Sequence, residues 1–229
     1  MKSLSLCSIL LCFLISCSTD SDLNASDKRE SSIIKSKRNL PNPENPSNPF
    51  DFKGKSYYDE LTLYWLQNPY PNSMEEITQL VSFLELQFKG PSTNKNLIYF
   101  TDEIVESIMA DPDQSMILMV QNSALSSAAK ISLINFLQSL IEKRELEFSI
   151  SCSYIMNYEN TVIAESSFSE DDKETILTVT SISRYSLYSA DERKDRDWDK
   201  SGANKNTKLF LETNQLAVIS IIAMLATLN

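Results

Sequence analysis

From about residue 56 onward, apolar residues recur every three or four positions, in blocks broken by proline, glycine or polar clusters. A 3.6-residue period of this kind commits a chain to amphipathic helices that bury one stripe each. In the first block, 57 to 67, Tyr57, Leu61, Tyr64 and Trp65 fall at helical spacing before Asn68-Pro69-Tyr70-Pro71 stops it. The next block, 74 to 89, has a capping-box start in Ser73 and Glu76. Ile77, Leu80, Val81, Leu84 and Phe88 form its stripe, and Gly90-Pro91 closes it.

Further blocks follow the same logic. Thr101 with Asp102 and Glu103 gives a cap and an acidic first turn leading into Ile104, Val105, Ile108 and Met109. Asp111-Pro112 marks a break and restart, because proline suits the first position of a helix. After Ser127, residues Ile131, Ile134, Leu137, Leu140 and Ile141 make a stripe, with Lys143 and Arg144 near its end. Residues 148 to 163 carry a looser one through Phe148, Cys152, Ile155, Met156 and Tyr158. Ser169 with Glu170, Asp171 and Asp172 opens a long run to about residue 194. Thr, Ile and Val between 175 and 182 would also suit a strand; the absence of punctuation up to Gly202 favours helix. Residues 216 to 228, polar only at Ser220 and Thr227, span about 20 Å as a helix, short of a bilayer of about 30 Å, and are expected to be a buried helix. The expected fold is all-α: a bundle of about six to seven helices over residues 56–229.

The N-terminus reads differently. Lys2 is followed by an apolar run from Leu4 to Ile15, too short to span a membrane and of the length of a secretory signal. Leu14-Ile15-Ser16-Cys17 then resembles the lipobox of bacterial lipoproteins. That resemblance implies a signal peptide over residues 1–16, cleavage before Cys17, and lipidation of the Cys17 thiol with fatty acyl groups such as palmitate. Two or three chains hold a protein to a membrane almost permanently, at about 0.8 kcal/mol per buried methylene. Ser18, where an aspartate would favour inner-membrane retention, implies by the same resemblance the outer membrane of a Gram-negative bacterium. Residues 17–55, polar and punctuated by Pro41, Pro43, Pro46 and Pro49, are expected to form a disordered tether.

Composition narrows the function. The net charge is −10, which repels phosphate backbones and argues against a nucleic-acid partner. No histidine is present, so the Ser-His-Asp, Cys-His and HExxH designs are excluded. With only Gly54, Gly90 and Gly202, there is no phosphate-cradling loop or dinucleotide fingerprint. Cys7 and Cys12 would leave with the signal and Cys17 would be acylated, so Cys152 would stand alone, without a disulfide. No cofactor is expected.

Few residues offer chemistry. Asp195, Asp197 and Asp199 alternate as in a calcium loop, but Lys200 and Asn206 stand where that pattern needs glycine and glutamate, and a charged linker fits as well. Tyr57, Tyr58, Tyr64, Trp65 and Tyr70 would make a stacking platform for sugars or peptides, although their spacing equally suits a core. Cys152 reads as a buried small hydrophobe. Arg184 with Tyr185 and Tyr188 would form either a polar pocket or ordinary packing. The expectation is a non-enzymatic, membrane-anchored envelope lipoprotein that binds an envelope protein or glycan; late segments faintly resemble uncharacterised Gram-negative lipoproteins. Two alternatives remain: an enzyme using carboxylates or a divalent ion, with the acids at 170–174 and 195–199 meeting in one pocket, and a membrane-active protein using residues 216–229.

Overall fold

The computed structural model describes residues 40–71, 73–88, 102–143 and 146–200. The proposed signal, Cys17 and the apolar stretch at 216–228 lie outside the described residues. Seven helices and no strand occur among the described residues: α1 (Asp51–Gln67), α2 (Met74–Phe88), α3 (Asp102–Ala110), α4 (Pro112–Asn122), α5 (Ser127–Lys143), α6 (Phe148–Ala164) and α7 (Glu170–Lys200). The protein is an all-α multi-helix bundle.

Caps set most of the helix starts. Ser73 Oγ accepts from Glu76 N–H at 3.3 Å, opening α2 as the sequence suggests. Asp111 Oδ1 accepts from Gln114 N–H at 3.0 Å ahead of Pro112 in α4. At α7, Ser169 Oγ accepts from Asp172 N–H at 3.0 Å, and Asp172 Oδ2 accepts from Ser169 N–H at 3.3 Å. The other oxygen, Asp172 Oδ1, accepts from Ser126 N–H at 2.9 Å, so one carboxylate ties the starts of α5 and α7 together. Burial alone would raise the Asp172 pKa; the donors from Ser126 and Ser169 reverse this and hold it below the ordinary carboxylate value.

The centre of the bundle is α7. Every residue from Ile176 to Leu187 is buried, so this stretch is enclosed all round rather than along one stripe. α1 and α6 pack directly on it. Contacts with α1 advance together, from Asp51 beside Arg184 to Tyr58 beside Glu192, so the two helices run the same way. Those with α6 run in reverse, from Glu159 beside Thr180 to Phe148 beside Tyr188. α5 lies antiparallel to α6, with Phe136 stacked on Tyr158 at 4.3 Å and on Tyr154 at 5.5 Å.

Small residues are what permit this enclosure. A Cβ on Gly54 of α1 would run into Ser181 Oγ and meet the Ser181 backbone carbon and oxygen at 2.7 Å, so α1 crosses α7 in contact with its main chain. Two hydroxyls on α7 donate to carbonyls one turn back, Thr180 Oγ1 to Leu177 O at 3.1 Å and Ser183 Oγ to Val179 O at 2.8 Å. The β-branched run at 175–182 is therefore helix, because enclosure on all sides outweighs a modest β-propensity.

The domain begins earlier than composition suggests. Residues 40–55, expected in the tether, are ordered, and α1 starts at Asp51 rather than near residue 57. The cause is a three-residue repeat. Asn42, Asn45 and Asn48 each precede a proline, and each Oδ1 accepts from the N–H two residues on, at Glu44, Ser47 and Phe50, with distances of 3.1, 3.1 and 2.8 Å. These are successive Asx turns, which order a proline-rich segment without a helix.

Candidate functional site

The most unusual chemistry lies where this Asn-Pro segment, α1, α6 and α7 meet. Glu159 sits on the apolar stripe of α6, seven residues after Cys152, and is fully buried. A carboxylate there must be saturated with donors to remain charged at tolerable cost. Asn45 Nδ2 donates to its Oε2 at 2.6 Å and Asn48 Nδ2 to its Oε1 at 2.8 Å. Thr180 Oγ1 donates to Oε1 at 3.0 Å, and Arg184 Nη2 reaches both oxygens, at 3.0 and 3.2 Å.

Arg184 is also fully buried and carries a second acid. Its Nη2 donates to Asp51 Oδ1 at 2.6 Å, while Ser181 Oγ donates to the same oxygen at 3.3 Å and Tyr185 OH to Oδ2 at 3.3 Å. Burial works against the guanidinium charge, but Glu159 and Asp51 outweigh it and raise the Arg184 pKa. Two carboxyl groups share one guanidinium, and the carboxamides and hydroxyls around them supply the further donors. Among the described residues Arg184 Nε and Nη1 find no hydrogen-bond partner, and the bonds to both acids run through Nη2. Cys152 lies within the field of this cluster; burial raises its thiol pKa, and Arg184 only partly opposes that. It is a buried thiol rather than an activated nucleophile.

The residues singled out from sequence are dispersed. Asp195, Asp197 and Asp199 sit in the last turns of α7, where the backbone is helical instead of the loop a calcium site winds around its ion. The acids at 170–174 occupy the opposite end of that helix, about 35 Å away at 1.5 Å per residue, so the two groups do not meet in one pocket. Asp172 caps α7, and Glu174 pairs with Lys53 at 2.7 Å. No group of three or more His, Cys, Asp or Glu side chains suited to a metal occurs among the described residues.

Of the aromatic set, Tyr57 is core, while Tyr58 donates to Glu192 Oε2 at 2.6 Å. Trp65 and Tyr70 are half-buried beneath Arg193, whose guanidinium carbon lies 3.4 Å from the Tyr70 ring centre and 5.3 Å from that of Trp65. The platform is thus covered by the protein's own cation. Tyr185 and Tyr188 pack with Tyr58 at 6.1 and 5.6 Å, and burial raises the pKa of both. The expected trio of Arg184, Tyr185 and Tyr188 is therefore interior packing around the ion cluster.

Sequence reading missed Asn45, Asn48, Asp51 and Glu159. Two signals mark them: the regular Asn-Pro triplets, and a glutamate in register with Cys152 and Ile155 on an apolar stripe. Comparison with protein families, with curated proteins and with solved structures finds no match to this chain.

Proposed function

We propose that this chain is a lipid-anchored cell-envelope lipoprotein whose helical domain is a non-enzymatic binding module for an envelope protein or glycan. The observation that carries the reading is Leu14-Ile15-Ser16-Cys17 at the end of a short apolar run behind Lys2. Acyl chains on Cys17 would supply the membrane attachment, and Ser18 favours the outer membrane of a Gram-negative cell. Among the described residues no helix is long and apolar enough to cross a membrane.

A binding role is favoured by how the buried polar groups are used. Glu159, Asp51 and Arg184 hold one another and the Asn-Pro segment. Apolar side chains on the outside, Leu63 and Leu66 on α1 and Leu86 on α2, offer contact area to a partner. Mass spectrometry of the mature protein tests the anchor. The expected result is an N-terminal Cys17 carrying acyl mass, with label from a fatty-acid analogue and membrane association both lost in Cys17→Ala. An unacylated terminus, or cleavage at another bond, would refute the assignment.

A further inference from the structure

Residues 42–50 join the N-terminal part of the chain to α1, and their own backbone bonds are local, as in Asn48 N–H to Asn45 O at 3.0 Å and Asp51 N–H to Asn48 O at 3.1 Å. Their polar ties to the bundle run through side chains, Asn45 and Asn48 to the two oxygens of Glu159 and Asn48 to Leu177 O at 3.0 Å, and Phe50 adds an apolar contact with the core. Pro43, Pro46 and Pro49 fix φ and restrict the segment even when it is unseated, so little entropy separates its seated and free forms. Both carboxamides serve one buried carboxylate. Losing either leaves Glu159 short of a donor in a dry site and favours entry of water, which weakens the other bond in turn. Such sharing makes detachment all-or-none.

We propose that residues 42–50 form a latch, seated on Glu159 and Leu177 in this structure and able to unseat as a unit, giving water access to Glu159 and Thr180 while α2 to α7 stay folded. The latch does not depend on the reading of Cys17 as an anchor.

The test uses the full chain carrying Thr180→Cys, with Cys152 as the internal reference for the deeper core. Iodoacetamide modification at both positions and acyl mass at Cys17 are read from one peptide map. The cysteine at position 180 should be modified at least about tenfold faster than Cys152. Asn48→Ala should speed it by roughly tenfold to a hundredfold more, the range expected for losing a hydrogen bond to a charged group, and leave Cys152 unchanged. Should Thr180→Cys fail to fold, hydrogen exchange on the unaltered protein decides: the amides of Ser47 and Phe50 should exchange well ahead of those in the middle of α6. Modification of both cysteines at one common rate, indifference of position 180 to Asn48, or exchange of the segment only together with α6 would each overturn the latch. An unacylated Cys17 with the difference at position 180 intact would remove the anchor and leave the latch standing.

Discussion

Replacing Gly54 with alanine sets two effects of opposite sign against each other. In an exposed helix interior the change stabilises by about 0.5–1 kcal/mol, since glycine gives up more backbone freedom on folding. Here the added methyl would run into Ser181 Oγ and lie 2.7 Å from the Ser181 backbone carbon and oxygen. The hydroxyl can rotate away, although it would give up its bonds to Asp51 O and Oδ1 at 3.1 and 3.3 Å. The backbone atoms cannot, so α1 must lift from α7 over the turn that also positions Asp51 against Arg184. Overpacking of this kind costs about 1–3 kcal/mol, which exceeds the propensity gain over most of its range. A net loss of roughly 1–2 kcal/mol follows, or about 2–8 °C in Tm for a domain of this size. Urea denaturation and calorimetry of Gly54→Ala measure it. A second variant sharpens the reading: Gly54→Ala with Ser181→Ala removes the hydroxyl but not the backbone contact, and should recover only part of the loss. A rise in Tm for Gly54→Ala, or full recovery in the double variant, would show that α1 does not ride on the main chain of α7.

Arg184→Met should destabilise by about 3–5 kcal/mol in urea denaturation, because buried Glu159 and partly buried Asp51 would be left without their cation. Combined with Glu159→Gln, it should cost less than the two single changes added together. The cap at Asp172 should show in the pH dependence of stability. Its folded-state pKa is below the ordinary value, so its contribution is full above the unfolded carboxylate pKa of about 3.9 and fades as pH falls through the folded value. Asp172→Ala should therefore lose roughly 1 kcal/mol at neutral pH, and the gap from the unaltered protein should narrow in acid; a gap independent of pH would contradict the cap.

The helices were legible because their local signals and their packing agree. Ser73, Asp111-Pro112 and Ser169 act as caps, and Ile77, Leu80, Val81 and Leu84 face the core. The start of the domain was not legible, since prolines and asparagines between 41 and 49 carry the composition of a linker. The Asn-Pro triplets signal the turns, but the carboxylate that seats them lies more than a hundred residues further on. Glu159 was overlooked for a related reason: periodicity arguments count apolar residues, and a charged residue on the stripe is passed over as an interruption. The Asp195–Asp199 acids left a calcium loop and a charged linker both open. Alternating acids suit a calcium loop only if the backbone leaves the helix, and α7 continues to Lys200.

Arg184 sits on a helix whose neighbours along the chain are Ser, Thr and Ile, and a fully apolar centre would spare the protein the desolvation of three charges. What the ions add is register. Apolar contacts of Ile176, Leu177, Val179 and Ile182 tolerate sliding of α1 or α6 by a turn; a guanidinium that must reach Asp51 from one helix and Glu159 from another does not. The same cluster fixes where the helical domain ends and the segment toward the N-terminus begins, because Glu159 is complete only with Asn45 and Asn48 in place. Interior register and the attachment of that segment are thus one set of bonds, and a substitution that disturbs either should be felt in both.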